Sequence, residues 1–381
     1  MKQTILITGG AGFIGSRLCN HLITDGYKVR VLDNLSQQIH GNSPKSSSLF
    51  RSLHPNAEFI HGSVTSRNDL MTALDGIDTV VHLAAETGTG QSMFAIQQYS
   101  DVNISGTAML LDLIANQSLP VKKIVVASSR AVYGEGKYRC PQHNFVYPSS
   151  RFLENMEQGD FEAHCPSCSG DAELVATDEE SPTHPSSVYG ITKLTQEKLV
   201  LNVGRTLGIS AIAFRYQNVY GPGQSLLNPY TGILSIFSNR IRNNNPINIF
   251  EDGKESRDFV YIDDVVSVTA EAIKYSKPLV DVFNVGSGVS TDVLAIAKTL
   301  QRLLNIEVPT TISGQFRVGD IRHNYADLTK VKRIFGFKPS ISVEQGLISF
   351  VEWLKTEGLE TDRYEQSLQE MESKGLFKGR A

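Results

Sequence analysis

Tyr189 and Lys193 stand four residues apart in SSVYGITKL, so on a helix they share one face. A phenol, with an ordinary pKa near ~10, is a poor base at neutral pH, and a neighbouring ammonium favours its phenolate. A Y-x-x-x-K pair alone can mark nothing more than a solvated helix face. A second group gives it weight: the apolar run in VVASSRAVYG ends on Ser128 and Ser129. Strand ends are where sites form in open α/β sheets. A serine hydroxyl there can hydrogen-bond the substrate oxygen that Tyr189 deprotonates. Ser129, Tyr189 and Lys193 are therefore the candidate catalytic set, suited to proton removal alongside hydride transfer.

The partner for such chemistry is signalled at the start of the chain. LITGGAGFIGSRL sets Gly9, Gly12 and Gly15 between a strand-like run and an amphipathic stretch. Glycines there let the backbone approach a pyrophosphate, which then rests on the unpaired N–H groups of a helix N-terminus. A tight strand-to-helix turn would explain the glycines without a ligand, but an acid after the next strand, Asp33 in VLDN, completes a dinucleotide fingerprint. Its carboxylate can accept from ribose hydroxyls and would repel a 2′-phosphate. No arginine follows closely, so NAD is favoured over NADP.

These groups need a scaffold that brings strand ends together. TILITG, KVRVLDN, AEFIHGSV, DTVVHLAA and KKIVVASS read as strands with helical stretches between them. Short apolar runs alternating with helices indicate a parallel sheet covered on both faces, and SAIAFRYQNVYG and DVFNVG extend it. The expected fold is α/β: a Rossmann-type doubly wound sheet with a smaller, discontinuous α/β substrate lobe. The NAD lobe is placed at 1–139, continued by 176–222 and 256–283. The substrate lobe takes 223–255 and 284–350, and 351–381 form a surface helix or partly ordered tail. Composition agrees with a globular enzyme: 381 residues, 40% hydrophobic, 20% charged, formal net charge −4. Nothing suggests a nucleic-acid or membrane partner, and a cytoplasmic location is expected.

Residues 140–175 break the alternation. RCPQHNF and AHCPSCSG hold three of the four cysteines, Cys140, Cys165 and Cys168, with His143 completing a C-x2-H…C-x2-C pattern. Two such pairs suit tetrahedral zinc, with His164 as a substitute for His143. A disulfide or unliganded thiols are the other readings. A closed four-ligand site has no open position for substrate, so a structural clip is expected rather than an active site.

The ordered motifs TGGAGFIGS, HLAA, DVNISGT, SSRAVYG, YGITK, RYQNVYGP, RDFVYIDDV, FNVGSG and RVGDIRH resemble the extended short-chain dehydrogenase/reductase family, specifically its nucleotide-sugar epimerases and dehydratases. The resemblance runs over residues 3–350 and is interrupted by the cysteine-bearing insertion. It implies tightly bound NAD, held by Gly9, Gly12, Phe13, Ile14, Gly15, Asp33, Asn34, Ser63, Val64, Leu83, Ala84, Ala85, Asn103, Tyr189 and Lys193. It implies a nucleotide-sugar substrate met by Thr87, Ser128, Ser129, Arg130, Asn218, Arg257, Arg317 and Asp320, and a homodimer built on two helices. Two positions depart from the family. Ser63 in HGSVTS replaces an acid that meets adenine, and Arg130-Ala131 replace the Asp-Glu pair that dehydratases need to expel water. The resemblance therefore implies an isomerase that oxidises C4, rotates the 4-keto sugar and returns hydride. LDNLSQQIHG, GTGQSMF, VYGEGKYRC and FRVGDIRHNYADLTK resemble the subgroup acting on dTDP-L-rhamnose. A 4-keto nucleotide-sugar reductase or dehydrogenase, and a non-catalytic dinucleotide sensor, are the alternatives. Met93 and Phe94 either line the sugar pocket or pack in the core.

Overall fold

The computed structural model describes residues 3–230 and 232–379. Its strands in chain order begin with β1 (Thr4–Thr8), β2 (Lys28–Asp33), β3 (Glu58–His61), β4 (Thr79–His82) and β5 (Lys123–Ser129). β6 (Tyr138–Cys140), β7 (Asn144–Val146) and β8 (Glu173–Leu174) follow within the insertion. After the insertion come β9 (Ser210–Tyr216), β10 (Asn218–Tyr220), β11 (Ile247–Ile249), β12 (Ser256–Tyr261) and β13 (Val280–Val285), with shorter strands beyond them. Seven of them form one parallel sheet ordered β13-β9-β5-β4-β1-β2-β3. The apolar runs are continuous because both faces are covered. In β1, Ile5 and Ile7 enter one core and Leu6 the other; in β5, Val125 goes one way, Ile124 and Val126 the other. The strand order reverses at β1 and β4, and the crevice at their carboxyl ends is where such sheets bind ligands.

The helix Val188–Leu207 carries Tyr189 in its first turn. Ser187 caps it, accepting from Gly190 N at 3.1 Å, and Gly208 ends it with φ of 67°. Gly190 sets the approach: a Cβ there would stand 2.6 Å from the Ala131 carbonyl oxygen. Only glycine lets this turn lie against the end of β5, and that brings Tyr189 beside Ser129.

β10 and β12 pair in parallel in a separate sheet, and β12 also pairs with Ser290–Asp292 and His323–Asn324. Asp258 holds this junction, accepting from Ser287 N at 2.6 Å, Gly288 N at 3.0 Å and Ala326 N at 3.1 Å. The insertion is a separate antiparallel sheet ordered β7-β6-β8.

The end of the chain is not a loose tail. The helix Tyr364–Ser373 places Tyr364, Leu368 and Met371 on one face, against Phe250 and Phe377, and Phe377–Lys378 pairs with Phe316–Arg317. Spacings of four and three residues give that face its apolar stripe. Phe94 packs beside this cluster and edge-on to Tyr230, and neither Phe94 nor Met93 lines the cleft. Among the described residues, no helix is long and apolar enough to cross a membrane.

Candidate active site

A cleft of about 500 Å³ runs from the glycine loop to Arg257 and Arg317. At its cofactor end Gly15 leaves no room for a side chain: a Cβ would lie 2.5 Å from both Gly10 Cα and Gly9 O. The helix Phe13–Thr24 begins at Gly12 with no side-chain cap and no acid in its first turn, so its N–H groups are left for an anion. The Asp33 carboxylate accepts from Ala11 N at 3.0 Å and Leu35 N at 2.8 Å, tying the glycine loop to β2. Phe13, Ile14, Asn34, Ser63 and Val64 line this end, and Leu83, Ala84 and Ala85 continue the wall from β4. A close-backed groove, a free helix terminus and an acid at the ribose position fit a dinucleotide.

Further along, Ser129, Tyr189 and Lys193 come together. The Ser129 hydroxyl accepts from Ala131 N at 3.2 Å and hydrogen-bonds the Tyr189 phenol. Burial pushes the Tyr189 pKa up, while the Ser129 hydrogen bond and the Arg130 guanidinium pull it back. Lys193 Nζ donates to Gln196 Oε1 at 2.7 Å, and burial pushes its pKa down to about 7. Below it His82 lies between the hydroxyls of Thr8 and Thr107, at 2.7 and 2.9 Å. Burial, with the Lys193 charge, lowers His82 to about 3, so the ring is a neutral support.

At the substrate end Thr87, Arg130, Asn218, Arg257, Arg317 and Asp320 all line the cleft. Asp320 Oδ2 accepts from Arg317 Nε and Nη2 at 2.8 and 2.7 Å. Arg257 Nη1 donates to the Arg322 carbonyl at 2.7 Å, and its Nη2 lies 3.7 Å from Glu255. Several buried polar atoms on the cleft wall have no partner among the described residues: Arg130 Nη1, both amide atoms of Gln217, Gln224 Oε1, Ser225 Oγ and Asn248 Oδ1. Buried polar groups are normally satisfied, so this cluster suits a ligand rich in hydroxyl and phosphate oxygens.

Two expected contacts are corrected. Asn103 is fully buried and outside the cleft; its amide is spent on Glu86, accepting from N at 2.8 Å, and on Thr192 Oγ1 at 2.9 Å. It braces the wall behind Ala85. Ser128 touches the cleft, but its hydroxyl donates to Glu197 Oε2 at 2.6 Å, in a pair with Arg215 Nη2 at 2.6 Å. Gln196 and Glu197 were overlooked, although their positions three and four residues after Lys193 put them on that face of the helix. Glu255 was also overlooked; it is buried in the cleft, and burial pushes its carboxyl up to about 7.

Outside the cleft, Cys140, His143, Cys165 and Cys168 converge, their ligand atoms all within 4.8 Å of one another. The disulfide alternative is overturned, since all four cysteines are free and Cys140 Sγ stands 3.8 Å from Cys168 Sγ. His164 is not among the four converging residues, and its Nε2 lies 2.7 Å from Asp160 Oδ2.

A profile of the NAD dependent epimerase/dehydratase family matches residues 5–153 and 166–286. The chain belongs to that family. The break in the match follows the first cysteine turn and takes in Cys165 of the second. The enzyme is 37% identical over 359 residues to a dTDP-L-rhamnose 4-epimerase of Burkholderia thailandensis, across 93% of this chain and 96% of that one. It is 30% identical to a putative UDP-glucose 4-epimerase of Methanocaldococcus jannaschii, across 92% and 98%. Its structure resembles a UDP-glucuronic acid 4-epimerase from Bacillus cereus, solved with UDP-glucuronic acid and NAD. That match has a TM-score of 0.75 at 26% identity and covers 93% of this chain and 99% of that one. A UDP-glucose 4-epimerase from Thermotoga maritima, solved with UDP-glucose, gives 0.72 at 31% identity, across 93% and 99%. These four relatives, each matched over nearly the whole chain, are named epimerases, and the enzyme is an isomerase.

Proposed function

We propose that the enzyme is an NAD-dependent 4-epimerase of nucleotide sugars whose substrate is dTDP-L-rhamnose, interconverted with dTDP-6-deoxy-L-talose. The observation that carries the reaction type is the Ser129–Tyr189–Lys193 set opening onto Arg257 and Arg317, with Arg130 and Ala131 where elimination would need carboxylates. The likeness to the Burkholderia enzyme supports the choice of sugar.

When bound, NAD supplies a reversible acceptor for hydride from the sugar. The chain's residues handle position and proton. Tyr189 Oη takes the proton of the sugar 4-hydroxyl and later returns it, with Ser129 Oγ holding the same oxygen. Arg257 and Arg317 hold the diphosphate while the sugar turns, since a guanidinium can bond phosphate through two N–H groups. Hydride returned within each cycle would leave no net demand for free cofactor. The protein works in the cytoplasm as a homodimer joined through the helices Gly106–Asn116 and Val188–Leu207; the latter exposes Ile191, 49% accessible in the monomer.

Purified enzyme incubated with dTDP-L-rhamnose and no added cofactor should form the talose epimer, detected by proton NMR, and should leave UDP-glucose unchanged. No epimer, or turnover only with added NAD(P)H, would reject the proposal, the second result in favour of a reductase. Asp33→Asn tests the cofactor assignment. Removing the carboxylate charge should lower the preference for NAD over NADP by about tenfold or more, roughly 1.4 kcal/mol, in equilibrium binding. An unchanged ratio would place the selecting group elsewhere.

A further inference from the structure

The four atoms of the Cys/His cluster have the spacing of a metal's coordination shell. Zinc bonds thiolate sulfur at about 2.3 Å and imidazole nitrogen at about 2.0–2.1 Å, so a regular tetrahedron has S···S edges of about 3.8 Å and S···N edges of about 3.6 Å. Cys140 Sγ lies 3.8 Å from Cys168 Sγ and 3.6 Å from His143 Nδ1, and Cys165 Sγ lies 3.5 Å from His143 Nδ1. A thiol can donate a weak hydrogen bond to the imidazole, but that one bond does not require three sulfurs to converge with the nitrogen on a single point.

The backbone is shaped for the same purpose. Cys140 ends β6 and faces Asn144 across a turn, in which Asn144 adopts φ of 59° and the N–H groups of Gln142 and His143 donate to the Cys140 sulfur. The second turn repeats the device. Cys165 N donates to Gly170 O at 2.9 Å, Ser169 N donates to Cys165 O at 2.8 Å, and Ser169 has φ of 55°. Two tight turns thus present two ligands each to a common point. The core that the insertion's antiparallel sheet builds for itself is small. It amounts to Tyr138, Cys140, Val146, Ala163 and Cys165, too little for an independent fold.

We propose that Cys140, His143, Cys165 and Cys168 bind one zinc ion as a closed structural site, and that this clip braces the substrate wall of the cleft. The brace lies in the segment running from one turn to the other. Arg151 there donates to Glu135 at 3.0 Å, Glu251 at 2.7 Å and the Asp320 carbonyl at 2.8 Å. Glu162, near the second turn, accepts from Arg322 and lies 3.3 Å from His323. Asp320 in turn holds Arg317 in the cleft. With both ends of the segment fixed by one ion, the Arg317–Asp320 loop is set; with the ends free, it loses its backing. The Ser129–Tyr189 pair stands on the main sheet and does not depend on the segment. The bracing role rests on the proposed function, whereas the metal site does not.

Metal analysis of full-length enzyme, purified without a histidine tag and dialysed without chelator, should find about one zinc per chain. Cys168→Ser, at an exposed ligand, should lose most of it. Less than about 0.2 zinc per chain after loading with zinc chloride and dialysis, or three thiols freely titratable by a thiol reagent in the loaded folded enzyme, would overturn the site. For the brace, Cys168→Ser should raise KM for the sugar nucleotide about tenfold with kcat changed less than threefold. Where zinc is lost and KM is unchanged, or kcat alone falls, the site stands and the brace does not. If no sugar nucleotide is turned over at all, the failure lies with the proposed function, and the zinc count still decides the site.

Discussion

Tyr189→Phe should lower kcat by about 10²–10⁴-fold, the range that a positioned acid–base group contributes. The substitution removes one oxygen and little else. Tyr189 N still donates to Ser92 Oγ, as in the parent at 3.0 Å, and the ring still packs edge-on to Tyr99, with centroids 6.5 Å apart. Melting temperature and retained NAD should therefore match the parent, which separates lost chemistry from lost structure. Ser129→Ala gives the complementary result. Burial holds the phenol above its ordinary pKa, and the Ser129 hydrogen bond is the largest influence pulling it down. A hydrogen bond to the charged form lowers a pKa, so removing it raises that pKa again. The acid limb of the pH–kcat profile should move to higher pH in Ser129→Ala and be absent as a Tyr189 limb in Tyr189→Phe. A Tyr189→Phe enzyme retaining more than a tenth of parental kcat would show that the proton leaves by another route.

The groove for the dinucleotide was legible because its signals are local. Gly9, Gly12, Gly15 and Asp33 all fall within two strands and a helix, and apolar runs of period-free character mark strands covered on both sides. The catalytic pair was legible for a similar reason, since Tyr189 opens a helix and Ser129 closes a strand. Ser128 lines the cleft beside Ser129, and a local rule bears on where its hydroxyl goes. Successive side chains on a strand point to opposite faces, so two adjacent serines do not present their hydroxyls to the same partner. Ser129 reaches Tyr189, and Ser128 is left to the Glu197–Arg215 pair behind the sheet. Asn103 escaped because its partners, Glu86 and Thr192, are 17 and 89 residues away and no spacing rule connects them. The docking of the last helix was hidden in the same way. Its apolar stripe was visible, but the surface that receives it, around Phe250, assembles only from distant segments. Paired charges far apart in the chain are the least legible of all.

Arg322 is the extreme case, and replacing it with Met should be the most destabilising single change outside the two cores. Its side chain is 0% exposed and binds three carboxylates: Nη1 reaches Glu251 at 2.8 Å and Asp252 at 2.6 Å, and Nη2 reaches Glu162 at 2.5 Å and Asp252 at 3.0 Å. The surrounding charges were placed with this cation present. Arg151 offsets part of the negative charge, through Glu135 and Glu251, but cannot reach across to Asp252 and Glu162 as a second fork. Methionine fills the volume and leaves Glu251, 1% exposed, with half of its partners. Breaking a buried ion pair from one side costs about 3–5 kcal/mol, which for a chain of this size is a melting temperature lower by roughly 4–6 °C. Arg322→Lys should recover only part of the loss, because one ammonium cannot serve three carboxylates that a planar fork spans. The pH dependence gives an independent check. The His323 hydrogen bond, and after it the Arg322 guanidinium, hold the Glu162 carboxyl at about 2, against an ordinary 4.5. A depressed acid contributes stability above its unfolded pKa and loses it as pH falls toward the folded one. The parent's advantage over Arg322→Met should therefore be full near neutral pH and shrink as pH falls below about 5. A melting temperature within 2 °C of the parent at neutral pH would mean that the carboxylates rearrange to reach water, and that the cluster contributes to shape rather than stability.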